Sequence, residues 1–469
     1  MRSKSARRMV LACIVPAAAL AALVAPGAAS AALTQCEGGP IHGKGSSAQK
    51  NVQTLVWNLQ FNTSANAKAC NGTQGSTGKP KVTYTSTGSG VGMESWGVET
   101  QKGKKEEEIR FGPENGYVGT EIAPNKVQSE EILAHGAGKV LTIPVLQAAM
   151  SIAIHLPKGC EKVEGGPVPG RLGLKDATLE KVFQGTAVKW SQVLNKAKLV
   201  GTAECKSTAL ITRVVREDGS GTTDAFMKYL DVLFKKPVIG TETWNQLGEK
   251  SANTTWPNEG THPLLRGNGG GGVVKKVAEN AGTIGYANVS DSRSNGNFTP
   301  PTGGEGKAAF WAEVERNTAK EGGKTVAVYS DPATNGDVAA KGSSNCSETL
   351  YTNGKKKFPP PTTEELWNEV VAAKKQSTYA DCYISFDLAL TKYSAFTVGT
   401  VKEGVAFSEA PTEAEEGTAK DYLGYELSTG PGGGQPAAEG EDYSGVPSIG
   451  EPSQNVLDIA QAGVGKIAF

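Results

Sequence analysis

Short β-prone runs alternate with amphipathic helical segments along much of the chain, and this alternation predicts an α/β protein with mainly parallel sheets. Three segments share one local order, in which a turn rich in glycine and serine comes directly before a helix. The first of these turns lies within residues 42–49. Its predicted helix has apolar residues at the i, i+3, i+4, i+7 spacing, namely Val52, Leu55, Val56 and Leu59.

The second and third turns each follow a predicted strand. A β-prone run at 82–85 leads into a Gly-Ser-Gly turn at 88–90, and only Met93 and Trp96 support a helix after it. The third turn lies in the stretch VVREDGSGTTDAF, where the strand ends at Arg216. The helix that follows is predicted to bury Phe226, Leu230 and Leu233.

Two other stretches differ from this alternating pattern. The apolar run 141–156 is interrupted by Pro144 and Gln147 and is shorter than the roughly 20 residues of a membrane-spanning helix. A pair of buried strands is the better prediction for it. Residues 407–445 are acidic and rich in glycine and proline, which is typical of solvated linkers, so we predict a flexible surface insertion there.

The first 31 residues have the order of a secretory signal peptide. Four basic residues come first, Met9–Val24 is mostly apolar, and Ala29–Ala31 forms an A-x-A cleavage site. An uncleaved membrane anchor is the alternative, although the apolar run is short for one. We therefore predict an exported protein, located in the periplasm, at the cell surface or outside the cell.

Charge and cysteine content narrow the class of protein. The chain has 48 basic and 48 acidic residues, and removal of the signal peptide takes away only basic ones. A slightly acidic mature protein does not suit nucleic-acid binding, so an anion would need a local binding site. Six of the seven cysteines follow the signal peptide, which predicts disulfides in an exported chain, with a zinc site as the alternative. We predict sequential pairing, as Cys36–Cys70, Cys160–Cys205 and Cys346–Cys382.

The three turns suit anion binding. A helix N-terminus has unpaired N–H groups and the positive end of the helix dipole, and glycines let an anion approach the backbone. Capping explains any one turn by itself, but three in one exported chain favour a binding site. Arg216 can donate to two oxygens of a tetrahedral anion. With only four histidines the sequence offers little for a metal site or a Ser/His hydrolase, so we expect no metal, no cofactor and no catalysed reaction.

Several motifs then match one known family. They are R-x-D-G-S-G-T at 216–222, G-x-G-S-S-x-Q at 43–49, STGSGVG at 86–92, LEKVFQGTAVKW at 179–190 and AGTIGYANVS at 281–290. Through them the chain resembles the phosphate-binding protein of bacterial phosphate ABC transporters, a periplasmic binding protein. The resemblance covers residues 40–290 and, more loosely, 382 to the end.

The resemblance implies a phosphate site built from all three turns. It places the donors at Ser47, the Ala48 backbone N–H, Ser89, Arg216 held by Asp218, Ser220, Gly221 and Thr222. The family's single acceptor is an aspartate, and Glu121 in YVGTEIAP takes its place, one methylene longer. Such a carboxylate accepts a proton from phosphate, whereas sulfate has none to offer and meets the carboxylate lone pairs. A shifted alignment would instead make Glu121 a surface residue.

The resemblance further implies a two-lobed periplasmic-binding-protein fold of type II, with a hinge and a central anion cleft. Lobe 1 would comprise residues 32–143 and 383–469, and lobe 2 residues 144–382. The implied function is capture of inorganic phosphate by a monomer, and delivery to the membrane permease and ATPase subunits of an ABC importer. Two alternatives stay open. One is a secreted phosphoesterase on the same scaffold, and the other is a surface or scavenging protein that binds oxyanions without serving a transporter, which the long region 291–381 suggests.

Overall fold

The computed structural model describes most of the chain after residue 38. The described ranges are 39–62, 81–96, 115–133, 137–165, 172–193, 198–205, 208–250, 253–262, 264–295, 309–333, 346, 351–352, 358–362, 364–372, 379–393, 412–443, 446 and 456–468. The predicted signal peptide at 1–31 and the predicted Cys36–Cys70 pair lie outside them. Residues Leu33–Phe469 belong to one compact unit. Within the described ranges, no helix has the length and hydrophobicity that a bilayer span requires.

The described elements alternate along the chain as expected for an α/β protein. The strands are β1 (Ile41–Gly45), β2 (Val82–Ser86), β3 (Asn115–Thr120), β4 (Ala137–His155), β5 (Cys160–Glu164), β6 (Gly173–Leu174), β7 (Lys198–Gly201), β8 (Thr212–Arg216), β9 (Leu264–Gly267), β10 (Thr283–Asn288), β11 (Ala309–Trp311), β12 (Glu313–Glu321), β13 (Lys324–Ser330), β14 (Tyr351–Thr352), β15 (Val371–Ala372) and β16 (Cys382–Lys392). The helices are α1 (Lys50–Val52), α2 (Asn58–Asn62), α3 (Ser89–Glu94), α4 (Lys126–Leu133), α5 (Asp176–Gln184), α6 (Trp190–Val193), α7 (Gly221–Leu233), α8 (Trp244–Gly248), α9 (Gly269–Glu279), α10 (Val289–Ser294), α11 (Glu364–Trp367), α12 (Glu413–Glu426), α13 (Gly434–Glu439) and α14 (Val456–Val464).

Two blocks of parallel strands are joined by two antiparallel ones. β2, β1 and β3 are parallel neighbours, and so are β10, β8 and β9. Between the blocks, β16 lies antiparallel to β3 and to β4, and β4 pairs antiparallel with β10. The resulting order is β2-β1-β3-β16-β4-β10-β8-β9, with β11 on β4. Parallel strands present their carboxyl ends at one edge, so each block brings the turns that follow its strands together.

β4 is one continuous strand of 19 residues, so the predicted pair of buried strands at 141–156 is wrong. Its earlier part pairs with β16 and its last six residues pair with β10. Pro144 cannot donate a ladder hydrogen bond, and the pairing with β16 shifts register there, between Ser385 and Phe386. The irregularity accommodates the proline without ending the strand.

The first helix buries a different set of side chains from the predicted apolar stripe. α1, a π-helical turn at Gln53–Trp57 and α2 follow one another without a break. Val52 and Val56 are buried as predicted, but Leu55 is 60% exposed and Leu59 is 48% exposed. A π turn contains an extra residue and rotates the following side chains about the helix axis. The side chains that the helix buries instead are Gln53, Trp57 and Phe61.

The other two predicted helices, α3 and α7, have the expected buried faces. Met93 is buried in α3, and Trp96 is buried directly after it. In α7 the buried side contains the predicted Phe226, Leu230 and Leu233. These helices pack the turns that precede them against the sheet.

The prediction of a flexible insertion is wrong for residues 412–443. α12 begins with a capping box, in which the Thr412 hydroxyl accepts from the Glu415 N–H and the Glu415 side chain accepts from the Thr412 N–H. Its aromatic side chains Tyr422 and Tyr425 are buried against Phe61. Composition alone suggested a linker because it averaged these apolar residues with the surrounding glycines and acidic side chains.

Two of the three predicted disulfides are present. Cys160 pairs with Cys205 and Cys346 pairs with Cys382, with Cα atoms 4.7 and 6.0 Å apart. The first joins the region of β5 to the loop after β7, and the second holds the region before β14 to the start of β16. The sequential pairing is confirmed for the cysteines that the structure describes.

Candidate anion-binding site

The predicted turns of the two parallel blocks meet at one place, as close approaches at glycine show. A methyl group at Gly221, the first residue of α7, would lie 2.6 Å from Ser89 Oγ and 2.9 Å from Glu121 Cβ. A methyl group at Gly88, which has a φ of 95°, would lie 2.9 Å from Asp218 Oδ2. The second turn, the third turn and the end of β3 are therefore packed against one another.

The turn after β9 closes the site on another side. Gly269 has a φ of 65°, and a methyl group there would lie 3.7 Å from Ser47 Cβ. The Gly269 N–H donates to Asp218 Oδ1 at 3.1 Å. The first turn thus faces the N-terminus of α9, and Asp218 connects that N-terminus with the third turn.

Glu121, the predicted acceptor, lies at the centre of these turns. It is 6% exposed, which rules out the alternative that it is a surface residue. Its Oε2 accepts from the Ser89 hydroxyl at 2.8 Å, and its Oε1 accepts from Ser385 at 3.1 Å and from Ser46. Burial raises the pKa of Glu121, while these hydroxyl donors and the charge of Arg216 act to lower it.

One guanidinium nitrogen of Arg216 donates no hydrogen bond to any described residue. Its Nε donates to Asp218 Oδ1 at 2.8 Å and its Nη2 donates to Asp218 Oδ2, so the carboxylate fixes the plane of the guanidinium group. The side chain is 1% exposed, and Nη1 has no hydrogen-bond partner among the described residues. A buried cation with an unused donor needs an acceptor, and an anion in the site would supply one.

The first turn contributes a second unused donor. Ser47 Oγ is buried and has no hydrogen-bond partner within the described part of the chain. The Ala48 N–H, a predicted ligand of the anion, donates to Ser46 Oγ at 3.0 Å. The Ala48 carbonyl accepts from Asn288 Nδ2 at 2.9 Å and from the Tyr443 hydroxyl at 2.6 Å. These bonds anchor the turn to β10 and to the segment after α13.

Ser220 caps the helix that carries the third turn. Its Oγ accepts from the Thr223 N–H at 3.2 Å, and its own N–H donates to Asn253 Oδ1 at 2.9 Å. The predicted donors Gly221 and Thr222 are the first two residues of α7, whose N–H groups have no partner within a helix. They present the positive end of a 13-residue helix to Glu121 and Ser89.

A family model of a PBP superfamily domain matches residues 30–338, well over half of the chain. The chain belongs to the PBP superfamily. No curated protein matches it. The family match confirms the predicted fold class, a two-lobed α/β periplasmic-binding-protein fold, while the lobe boundaries stay a prediction.

Several solved structures have a similar fold. A human phosphate binding apolipoprotein is 16% identical with a TM-score of 0.56, covering 87% of this chain and 91% of its own. The periplasmic phosphate-binding protein PfluDING is 14% identical with a TM-score of 0.54, covering 91% and 98%. A phosphate-binding protein from Stenotrophomonas maltophilia is 15% identical with a TM-score of 0.53, covering 90% and 93%. At these identities the likeness establishes the shared fold.

Asp291 is a residue of the site that sequence reasoning missed. It follows β10, and a methyl group at Gly270 would lie 2.8 Å from its carboxyl carbon. Burial raises the pKa of Asp291 to about 7; Arg216 and Lys50 act to lower it, and Glu121 raises it further. The motif AGTIGYANVS ends one residue before Asp291. The other predicted site residues also lie just after strands, so the same positional pattern could have indicated Asp291.

Ser46 and Ser385 were also missed, for different reasons. Ser46 lies beside the predicted Ser47, and sequence does not tell which of two adjacent serines faces the carboxylate. Ser385 lies in the middle of β16, where nothing in the local sequence indicates a site. Among the described residues of this PBP superfamily protein, no group of histidine, cysteine and acidic side chains could hold a metal ion.

Proposed function

We propose that this protein binds inorganic phosphate with high affinity outside the cytoplasm and delivers it to an ABC-type importer. One observation carries the proposal, a buried site that sets many donors around the carboxylate of Glu121. Arg216 Nη1 and Ser47 Oγ are buried side-chain donors that have no hydrogen-bond partner among the described residues. Gly221 and Thr222 add backbone N–H groups at the start of α7.

The carboxylate gives the site its preference for phosphate. Glu121 is flanked by hydroxyl donors and by Arg216, all of which favour its ionised form. An ionised acceptor takes a hydrogen bond from a protonated phosphate oxygen, whereas sulfate leaves two sets of lone pairs facing each other in a buried place. The extra methylene of glutamate brings the carboxylate up to Gly221 while the three serine hydroxyls hold it.

Titration calorimetry of the purified protein, freed of bound anion, tests this function. We expect tight binding of phosphate and no measurable binding of sulfate under the same conditions. Absence of phosphate binding would refute the proposal. Incubation with a generic phosphomonoester is the companion assay, and release of phosphate would favour the phosphoesterase alternative.

Delivery to an importer is a separate part of the proposal. Membership of the PBP superfamily and the likeness to solved phosphate-binding proteins support a role in capture rather than in a reaction. We expect a strain that lacks this protein to take up phosphate more slowly when phosphate is scarce. Unchanged uptake would favour a scavenging or surface role without a permease and ATPase partner.

A further inference from the structure

A network of hydrogen-bonded, buried polar side chains extends from Glu121 into the protein core. Ser385, Gln49 and Gln53 are each fully buried. Burying a hydroxyl or an amide is unfavourable unless each polar atom finds a partner, and an apolar residue of similar size avoids that cost. A row of such groups behind a binding site therefore points to a role in the site.

In this network, a backbone carbonyl group fixes which partner donates in the hydrogen bond between Gln49 and Ser385. Gln49 Nε2 donates to the Phe386 carbonyl oxygen at 3.0 Å and to Ser385 Oγ at 2.9 Å. A carbonyl oxygen can only accept, so the amide nitrogen of Gln49 must face this side. Ser385 Oγ accordingly accepts from Gln49 and keeps its own proton for Glu121 Oε1 at 3.1 Å, a stronger bond than the alternative to the Thr120 carbonyl at 3.4 Å.

At the end of this network that lies farthest from Glu121, hydrogen bonds fix the orientation of the Gln53 amide. Its Oε1 accepts from the hydroxyls of Tyr117 at 2.8 Å and Tyr422 at 2.6 Å. Its Nε2 donates to Glu426 Oε1 at 2.9 Å and to Gln49 Oε1 at 3.1 Å. The Gln49 amide oxygen can only accept, and its orientation is fixed by the Phe386 carbonyl, so neither amide can turn over without breaking bonds.

We propose that Ser385, oriented by Gln49 and Gln53, is a positioning residue that keeps Glu121 a hydrogen-bond acceptor and thereby sets the preference for protonated oxyanions. This inference rests on the proposed phosphate binding. Ser89 and Ser46 also donate to Glu121, but both belong to turns that border the anion. Ser385 donates from a central strand of the sheet, outside the three turns.

The charges around Glu121 explain why the acceptor needs this support. Among the described residues, the titratable and charged groups that interact electrostatically with it include Arg216, Asp291, Asp387, Tyr84 and Tyr443. Asp224, Lys228, Tyr229 and Tyr383 line a small cavity that Glu121 also lines. Of the groups that act on it directly, the cationic Arg216 favours the ionised form, whereas burial and the neighbouring carboxylates oppose it. The hydroxyl donors act against burial, because each hydrogen bond to the carboxylate lowers the pKa of Glu121 and favours its ionised form.

Binding of phosphate and sulfate to Ser385→Ala, measured by calorimetry between pH 5 and pH 8.5, tests the assignment. Loss of a donor raises the pKa of Glu121, since a hydrogen bond to a charged group is worth roughly one to two pH units. We expect the pH below which phosphate binding weakens to move up by about one unit, and the phosphate-to-sulfate affinity ratio to fall by about tenfold or more at and below that pH. Phosphate itself titrates equally in every sample, so the comparison with the unsubstituted protein isolates the change in the site.

Ser385→Thr keeps the hydroxyl and should retain most of the unsubstituted ratio and pH profile. Gln49→Met removes the group that orients Ser385, and it should shift both measurements in the same direction as Ser385→Ala. Ser151→Ala is the matched control, because Ser151 is an equally buried strand serine that donates to the Ala287 carbonyl at 2.8 Å.

Equal weakening of both anions at every pH, or an unchanged ratio in both Ser385→Ala and Gln49→Met, would overturn the assignment. An unsubstituted protein that binds neither anion would refute the proposed function and this inference together. An unsubstituted protein that selects phosphate, with no effect of the two substitutions, would refute this inference alone.

Discussion

Replacing Gly221 by alanine tests whether the closed packing of the turns is the binding state. The new methyl group would lie 2.6 Å from Ser89 Oγ and 2.9 Å from Glu121 Cβ, against an ordinary contact distance of 3.4 Å or more. The start of α7 and the side chains of Ser89 and Glu121 must therefore move apart by about 0.5–1 Å. A shift of that size lengthens the hydrogen bonds that an anion would make to both sides at once.

The expected loss of phosphate affinity follows from the free energy of the hydrogen bonds that the shift would lengthen. Each hydrogen bond to a charged group contributes about 1.5–3 kcal/mol, and 1.4 kcal/mol corresponds to a tenfold change in affinity. Loss of one such bond weakens phosphate binding by about 10- to 150-fold. Stability should change less, because an overpacking cost of about 1–3 kcal/mol is partly offset by the better helix propensity of alanine, worth up to about 1 kcal/mol.

Calorimetric phosphate titration and urea unfolding of the variant measure the two effects separately. Gly424→Ala is the matched control, since Gly424 lies within α12 and a methyl group there meets nothing within 4 Å. We expect the control to bind phosphate normally and to unfold at the same or a higher urea concentration. A folded Gly221→Ala protein with unchanged phosphate affinity would show that the α7 N-terminus does not border the anion.

Three further predictions concern single charged groups. Arg216→Lys keeps the positive charge, but a lysine side chain has a single nitrogen and cannot both hold Asp218 and reach an anion. We expect the phosphate affinity measured by calorimetry to fall by about tenfold or more. An unchanged affinity would exclude a direct contact between Arg216 and the anion. Glu121→Gln should weaken phosphate more than sulfate in the same titrations, and equal effects would mean that Glu121 is not the acceptor. Burial raises the pKa of Asp291 from 3.8 to about 7, so the folded protein retains a proton that the unfolded chain has lost, and the free energy of unfolding should fall as the pH rises from 4 to 7. Asp291→Asn should reduce this slope in phosphate-free urea titrations, and an unaltered slope would contradict the assigned cause.

Local patterns predicted the parts of the fold that depend on neighbouring residues. The strand, turn and helix around Arg216 follow from an apolar run, a serine cap and a helical stripe, all between Thr212 and Leu233. The first helix was harder, because the π turn at Gln53–Trp57 changes which side chains face inward. No spacing rule based on 3.6 residues per turn anticipates an inserted residue.

The acceptor's surroundings depend on contacts that sequence does not show. Glu121 receives hydrogen bonds from Ser46 and from Ser385, which stand 75 and 264 residues away along the chain. The composition of segment 412–443 suggests a linker, whereas Tyr422 and Tyr425 are buried against Phe61 of the first helix. In both cases tertiary packing decided the outcome, and packing partners are invisible in one isolated segment.

The place of β16 in the sheet also sets the order in which the molecule can be assembled. β3 has β1 on one side and β16 on the other, yet β16 is made only when residues 382–392 have been synthesised. Until then a nascent chain has an open edge on β3, the kind of edge that pairs with other chains. Glu121 directly follows β3 and Ser385 lies on β16, so closing that edge and completing the acceptor are the same event. A chain that stops before this strand would lack its central sheet pairing and its binding site together, which makes late truncations as harmful as early ones.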